Sequence, residues 1–319
     1  MIGQRLVFGF KGTELPQEFT ELVRKFKLGN VILFRYNVEN TAQLSRLCAE
    51  IQELVRRETG HPAFITIDQE GGMVTRLPAD AVNVPGSMAI AATGRVRDAY
   101  DCAGITARQL RGIGVNFNLA PDLDVNSNSM NPVIGVRSFG DDAARVAELG
   151  AQAVRGYGEA GLLCCGKHFP GHGDTAEDSH TALAVTYKTL DELQACELLP
   201  FAADTGLHAV MVGHIAAPNV TGDGTPATLS PQLVALIPDA ENTLIVTDSL
   251  AMDAITAAYT PSEAAVQALQ AGCDVLLMPN SLPEAYAAVL EAVQNGTISE
   301  ERLDRSVNKI LLYKQQFAS

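Results

Sequence analysis

Residues 162–180 read LLCCGKHFPGHGDTAEDSH. The run LLCCG is continuously apolar, which suits a strand buried on both faces, as in a parallel sheet covered by helices. Without a break it passes into Lys167 and His168, and then into a loop marked by Pro170, Gly171 and Gly173. The same pattern recurs along the chain. Apolar runs at 6–10, 31–34, 64–67, 115–119, 209–213, 244–247 and 275–278 join the one at 162–166. Amphipathic stretches at 41–58, 96–111, 142–159, 189–200 and 261–271 alternate with them, and two more, 282–295 and 299–316, follow the last. Asn40-Thr41 and Ser262 are helix-start signals for two of these stretches. Eight strands alternating with helices predict an α/β fold of the (β/α)8 TIM-barrel type, with a doubly wound open sheet as the alternative. Asp68, Lys167-His168, His214 and Asp248 end four of the runs. In such a barrel the C-terminal strand ends build the active site, so these side chains converge on one mouth.

At 319 residues with 47% hydrophobic and 19% charged residues, the chain can bury a large core without cross-links. No composition shift or Pro/Ser-rich linker divides it, so residues 1–319 read as a single domain, with the last two helices capping the barrel. A net charge of −14, from 23 basic and 37 acidic residues, argues against nucleic acid and anionic membrane surfaces as partners. It favours an enzyme acting on a small molecule. No apolar run has the length of a membrane span, and the N-terminal MIGQRLVFGFKGTELPQEF lacks the pattern of a signal peptide. The six cysteines are scattered without CxxC spacing, Cys164 and Cys165 reading as small buried hydrophobes; the expectation is a reducing, cytoplasmic setting. The glycosylation patterns at Asn219 and Asn295 carry no weight in that setting.

The loop Lys167–His180 holds three of the six histidines. Two chemistries compete for it. His168, His172 and His180, with Asp174 or Asp178, are correct ligand types for zinc, although the spacing is no HExxH. Alternatively, Asp178 and His180 flank one residue, so the carboxylate can fix the imidazole's tautomer and raise its pKa, as a proton donor near neutrality requires. His172, between two glycines, reads instead as a tie within the loop. Asp248 in LIVTDSLAM is either a reactive carboxylate at a strand end or a helix cap. In ITIDQEGG, the glycines after Asp68 allow close backbone approach to a ligand, and Glu70 reads as a brace for a basic residue.

The motifs IDQEGG (67–72), NFNLAPDLDV (116–125), IGVRSFG (134–140), KHFPGHGDTAEDSH (167–180), TLSP (228–231), VTDSLAM (246–252) and AGCDVLLMP (271–279) resemble glycoside hydrolase family 3, in particular its single-domain bacterial β-N-acetylhexosaminidases. They run in the family's order over nearly the whole chain. The resemblance implies a (β/α)8 barrel and a retaining mechanism that removes terminal N-acetylglucosamine, without metal or cofactor. It makes Asp248 the nucleophile and His180 the general acid/base with Asp178 as its partner. Asp68, Arg76, Arg137, Lys167 and His168 would bind the sugar. A histidine acid departs from the usual pair of carboxylic acids, yet a His–Asp pair has a proton affinity suited to the task.

Three positions depart from the family pattern: Met73 where arginine is common after EGG, Ala251 where TDSL is often followed by Glu-Met, and TALAV after DSH where Leu-Pro is common. The implied substrates are N-acetylglucosamine-terminated muropeptides or chitooligosaccharides, the former pointing to peptidoglycan recycling. A phosphorylase is the alternative, because a histidine that has donated its proton is neutral and does not repel phosphate. A non-catalytic sugar-binding barrel is a third reading, which the joint presence of Asp248, Asp178 and His180 disfavours.

Overall fold

The computed structural model describes residues 1–176, 182–202 and 206–318. Each of the eight apolar runs overlaps a strand: β1 Leu6–Phe8, β2 Asn30–Leu33, β3 Phe64–Ile67, β4 Phe117–Asn118, β5 Leu163–Phe169, β6 Ala209–Val212, β7 Leu244–Thr247 and β8 Leu276–Leu277. Neighbours pair in parallel from β1 round to β7. β8 pairs with β1, Leu276 opposite Leu6, and a parallel bridge joins Val246 of β7 to Val275 just before β8. The sheet thus closes into a (β/α)8 barrel, and the open-sheet alternative is excluded.

Side chains of opposite pleat are buried on both sides of this sheet. Val7, Ile32, Phe64, Phe117, Leu163, Met211, Val246 and Leu277 form one apolar cluster, inside the barrel. Leu6, Val31, Ile65, Cys164, Val210, Ile245 and Leu276 belong to another, shared with the surrounding helices. Neither face meets water, so the strands read as continuous apolar runs rather than as an alternation.

The outer helices are α1 Gln17–Phe26, α2 Thr41–Thr59, α3 Val96–Ile113, α4 Ala143–Glu159, α5 Pro261–Ala271, α6 Leu282–Gln294 and α7 Glu300–Phe317. Asn40 caps α2 by accepting from the Gln43 N–H. The start of α5 is set by Thr260, two residues before Ser262, through a capping box with Glu263. The expected helix over 189–200 is two short ones, Leu190–Ala195 and Leu199–Ala202. α1 lies outside the expected stretches because its ends carry no usual signal: Pro16 makes no side-chain cap, and the left-handed C-cap is Lys27 rather than glycine.

After β8, α7 packs under the barrel and Ile310 joins the interior cluster. All six cysteines are unbridged. Among the described residues, no helix is long and apolar enough to cross a membrane.

Candidate active site

The site is built around the end of β5. Gly166 lies opposite Val210 of β6, but Phe169 lies opposite Val212, so three residue steps on one strand match two on the other. Successive strand side chains normally point to opposite faces. This bulge lets two consecutive residues, Lys167 and His168, line the same cavity. That cavity, of about 310 Å³, is also lined by Asp68, Arg76, Arg137 and Asp248. Six of the eight expected site residues therefore come together; Asp178 and His180 lie outside the described residues. Ile32, Phe34, Met211, Met252, Leu277 and Met278 give the cavity an apolar floor and wall. Apolar walls with a few convergent polar groups are the usual make-up of a small-molecule site.

Asp68 and Glu70 are fixed by the residue between them. Gln69 is fully buried, and its Oε1 accepts from the backbone N–H groups of Arg76 (2.7 Å) and Leu77 (3.0 Å). Its own backbone exchanges hydrogen bonds with the Asn118 side chain at the end of β4. On this rigid turn Asp68 accepts from Lys167 Nζ at 2.8 Å, and Glu70 Oε1 lies 2.7 Å from the same ammonium. Arg137 meets Glu70 with a two-point fork, Nη2 to Oε1 at 2.8 Å and Nε to Oε2 at 2.9 Å. Glu70 is the expected brace, and it supports two cations at once. Burial opposes its ionisation, but Lys167 and Arg137 outweigh that and hold the carboxyl well below its usual range. Burial likewise disfavours the Lys167 ammonium, yet Asp68 and Glu70 raise its pKa. The cations stay charged and are held in fixed directions at the border of the cavity.

A second network, built on Asp122 and Asp124, escapes the sequence reading. Asp124 Oδ2 lies 2.7 Å from His168 Nδ1, and its Oδ1 accepts the His172 backbone N–H at 2.6 Å. This contact commits Nδ1 of His168 to the protein. His172 is indeed a tie: it is buried, and its Nδ1 is 2.7 Å from Thr175 Oγ1. Burial, with the His168 ring beside it, lowers its pKa. Asp122, Asp124 and His168 bring ligand atoms within 4.8 Å of one another. Two of those groups are already hydrogen-bonded to each other, so a cation there would have to replace the Asp124–His168 contact. The signal for this pair is in PDLDV, where two carboxylates alternate with apolar residues straight after a strand.

Asp248 follows β7 and borders the cavity. Its Oδ1 accepts the Ser249 N–H at 2.7 Å, an intraresidue-neighbour contact rather than a helix cap. Burial opposes its charge, but His214, His168, the Ser249 N–H and Lys167 together hold the carboxyl below its ordinary value. His214, at the end of β6, is anchored between Thr228 Oγ1 (2.9 Å) and the Ser249 carbonyl (2.8 Å). The result is an ionised carboxylate facing a cavity rich in donors.

Comparison with known proteins bears on this geometry. The family model for the glycosyl hydrolase family 3 N terminal domain matches residues 2–312. Beta-hexosaminidase A of Pseudoalteromonas piscicida is 35% identical over 98% of this chain, which spans 60% of that relative's length. Beta-hexosaminidase of Pseudomonas aeruginosa is 33% identical over 95% of this chain and 91% of its own. A solved glycoside hydrolase family 3 beta-N-acetylglucosaminidase from Paenibacillus sp. str. FPU-7 superimposes with a TM-score of 0.95 and 44% identity, covering 99% of this chain and 61% of that one. With a family match over almost its entire length and a barrel shared at this similarity, the chain belongs to glycosyl hydrolase family 3.

Proposed function

We propose that the protein is a retaining exo-β-N-acetylglucosaminidase that removes terminal N-acetylglucosamine from muropeptides or chitooligosaccharides. The observation that carries this reading is Asp248, a carboxylate held ionised at the border of a cavity lined by Asp68, Lys167, Arg137, Arg76 and His168. The names of the relatives at 33–35% identity support the substrate class. Asp68, Lys167, Arg137, Arg76 and His168 bind the sugar's hydroxyls and orient its anomeric carbon toward Asp248. Asp248 then attacks that carbon as the glycosidic C–O bond breaks, and the departing oxygen takes a proton from His180, whose tautomer Asp178 sets. Water attacks the glycosyl-enzyme next, gives its proton back to His180 and releases both the sugar and the Asp248 carboxylate. One catalytic domain over residues 1–319 belongs to the same proposal, as does action on cell-wall fragments inside the cell.

The test is turnover of aryl N-acetyl-β-glucosaminides by the whole chain. Asp248→Asn is expected to lower kcat by about 10⁴-fold or more, because no covalent route remains. Wild-type-like turnover in that variant overturns the nucleophile assignment. Products from a panel of N-acetylglucosamine disaccharides, with and without phosphate, separate hydrolysis from phosphorolysis: free sugar under both conditions is expected, and sugar 1-phosphate overturns the hydrolase reading.

A further inference from the structure

Away from the cavity, a group of charged side chains has no part in holding the sugar. Lys188 Nζ lies 2.5 Å from Glu197 Oε1 and 3.3 Å from Asp174 Oδ1. Glu197 is fully buried and also accepts from Ser127 Oγ at 2.8 Å. Asp174 accepts from Thr186 Oγ1 at 2.9 Å. Asp174 and Thr186 are on opposite sides of residues 177–181, so these bonds join the chain just before that segment to the chain just after it.

Both sides are otherwise well anchored. Before the segment, Asn131 Nδ2 donates to the carbonyls of His172 and Thr175, each at 2.8 Å, and Asn128 Nδ2 donates to that of Asp174. Gly173 leaves no room for change, since a Cβ there would sit 1.8 Å from the Val125 carbonyl oxygen. After the segment, Ala184–Val185 pairs in parallel with Ile215–Ala216, and the Thr186 N–H donates to Ala216. The polar link between Asp174, Thr186, Lys188 and Glu197 joins these two anchored ends directly to each other. None of these four side chains borders the 310 Å³ cavity.

We infer that Lys188 is a positioning residue for the acid/base pair: its ammonium, held between Asp174 and Glu197, ties together the two ends of chain that carry Asp178 and His180. The inference rests on the function proposed above. Its chemistry follows from the need for alignment. A proton donor displaced from the glycosidic oxygen costs most where the leaving group most needs the proton, and least where the leaving group departs unaided. A purely structural role would instead reduce active enzyme, and therefore turnover of every substrate, by one common factor.

Lys188→Met alone would strand the buried Glu197 charge and could unfold the protein. The informative variants are therefore Lys188→Met/Glu197→Gln, which removes both charges, and Thr186→Val, which removes one hydrogen bond to Asp174. Each is assayed on aryl N-acetyl-β-glucosaminides whose phenols span a range of acidity, with His180→Ala alongside. The double variant is expected to lose about 10- to 100-fold in kcat/KM on the least acidic phenol and less than about threefold on the most acidic. Thr186→Val is expected to show a smaller loss of the same graded form, and Lys188→Arg to restore most of the activity. A uniform loss across the series, or none, with His180→Ala still graded, overturns the positioning role and leaves the function intact. A uniform response in His180→Ala as well overturns the acid/base assignment and the positioning role with it.

Discussion

Asp124 shows how one buried carboxylate sets the chemistry of two histidines. It accepts from the backbone of His172 and faces His168 Nδ1, so the cavity meets the remaining ring nitrogen of His168. In Asp124→Asn, an amide N–H₂ placed toward Nδ1 would force the other tautomer and change what His168 offers the sugar. Loss of one charge-assisted hydrogen bond predicts a fall in kcat/KM of about 10- to 100-fold. Urea melts check that the variant folds, and steady-state kinetics on an aryl glycoside check the loss; unchanged kcat/KM in a folded variant removes Asp124 from the site. Much of the site was legible at this scale, because Asp68, Lys167, His168 and Asp248 each end an apolar run. Arg76 and Arg137 came only from the motif resemblance, since nothing in their spacing points inward. Asp122 and Asp124 left only the PDLDV alternation as a trace, with nothing to name their partners. The partners of Asp124, His168 and His172, lie 44 and 48 positions away in sequence, and local pattern carries no record of such pairings.

At the scale of elements, the eight strands were legible because burial on both faces makes the simplest of sequence signals. The helices were legible where caps announced them, and α1 was missed for want of end signals, although Phe19, Val23 and Phe26 give it a buried apolar face. Close packing between helices is a further feature that composition hides. α3 and α4 touch at Gly156, where an added Cβ would lie 2.3 Å from the Tyr100 carbonyl oxygen and 3.0 Å from Ala103 Cβ. Alanine at a helical glycine ordinarily gains up to about 1 kcal/mol in propensity. Here the obstacle is backbone, which yields only if the helices separate, at a cost of about 1–3 kcal/mol. Gly156→Ala is therefore expected to lower stability, while Gly158→Ala, in the same helix with nothing within 4 Å, is expected to raise it by up to about 1 kcal/mol. Paired thermal melts read the contrast, and equal shifts of either sign would refute the packing argument.

For the molecule as a whole, the net charge of −14 describes the surface and not the interior. The mouth of the barrel gathers Lys167, Arg137 and Arg76, and the opposite end holds a cation that meets no carboxylate among the described residues. Lys314 of α7 is buried; its Nζ donates to Gln4 Oε1 at 2.6 Å and to the Gly29 carbonyl at 2.8 Å, and it sits 5.3 Å from the centre of the Phe64 ring. Dipoles and a ring face compensate an ammonium less than an anion does, so desolvation holds the Lys314 pKa well below the usual lysine value of 10.5. The unfolded chain then binds more protons than the folded one between the depressed pKa and 10.5. Folding stability from this group therefore rises with pH across that interval, and is lowest below it, where the ammonium is buried charged. Lys314→Met removes the titration but leaves Gln4 Oε1 and the Gly29 carbonyl without their donor, which sets a pH-independent offset. The difference in Tm between the natural chain and Lys314→Met, followed from pH 7 to pH 10, is expected to move steadily in favour of the natural chain. A constant difference would mean that Lys314 titrates as an ordinary exposed lysine, and that the base of the barrel is wetter than its packing implies.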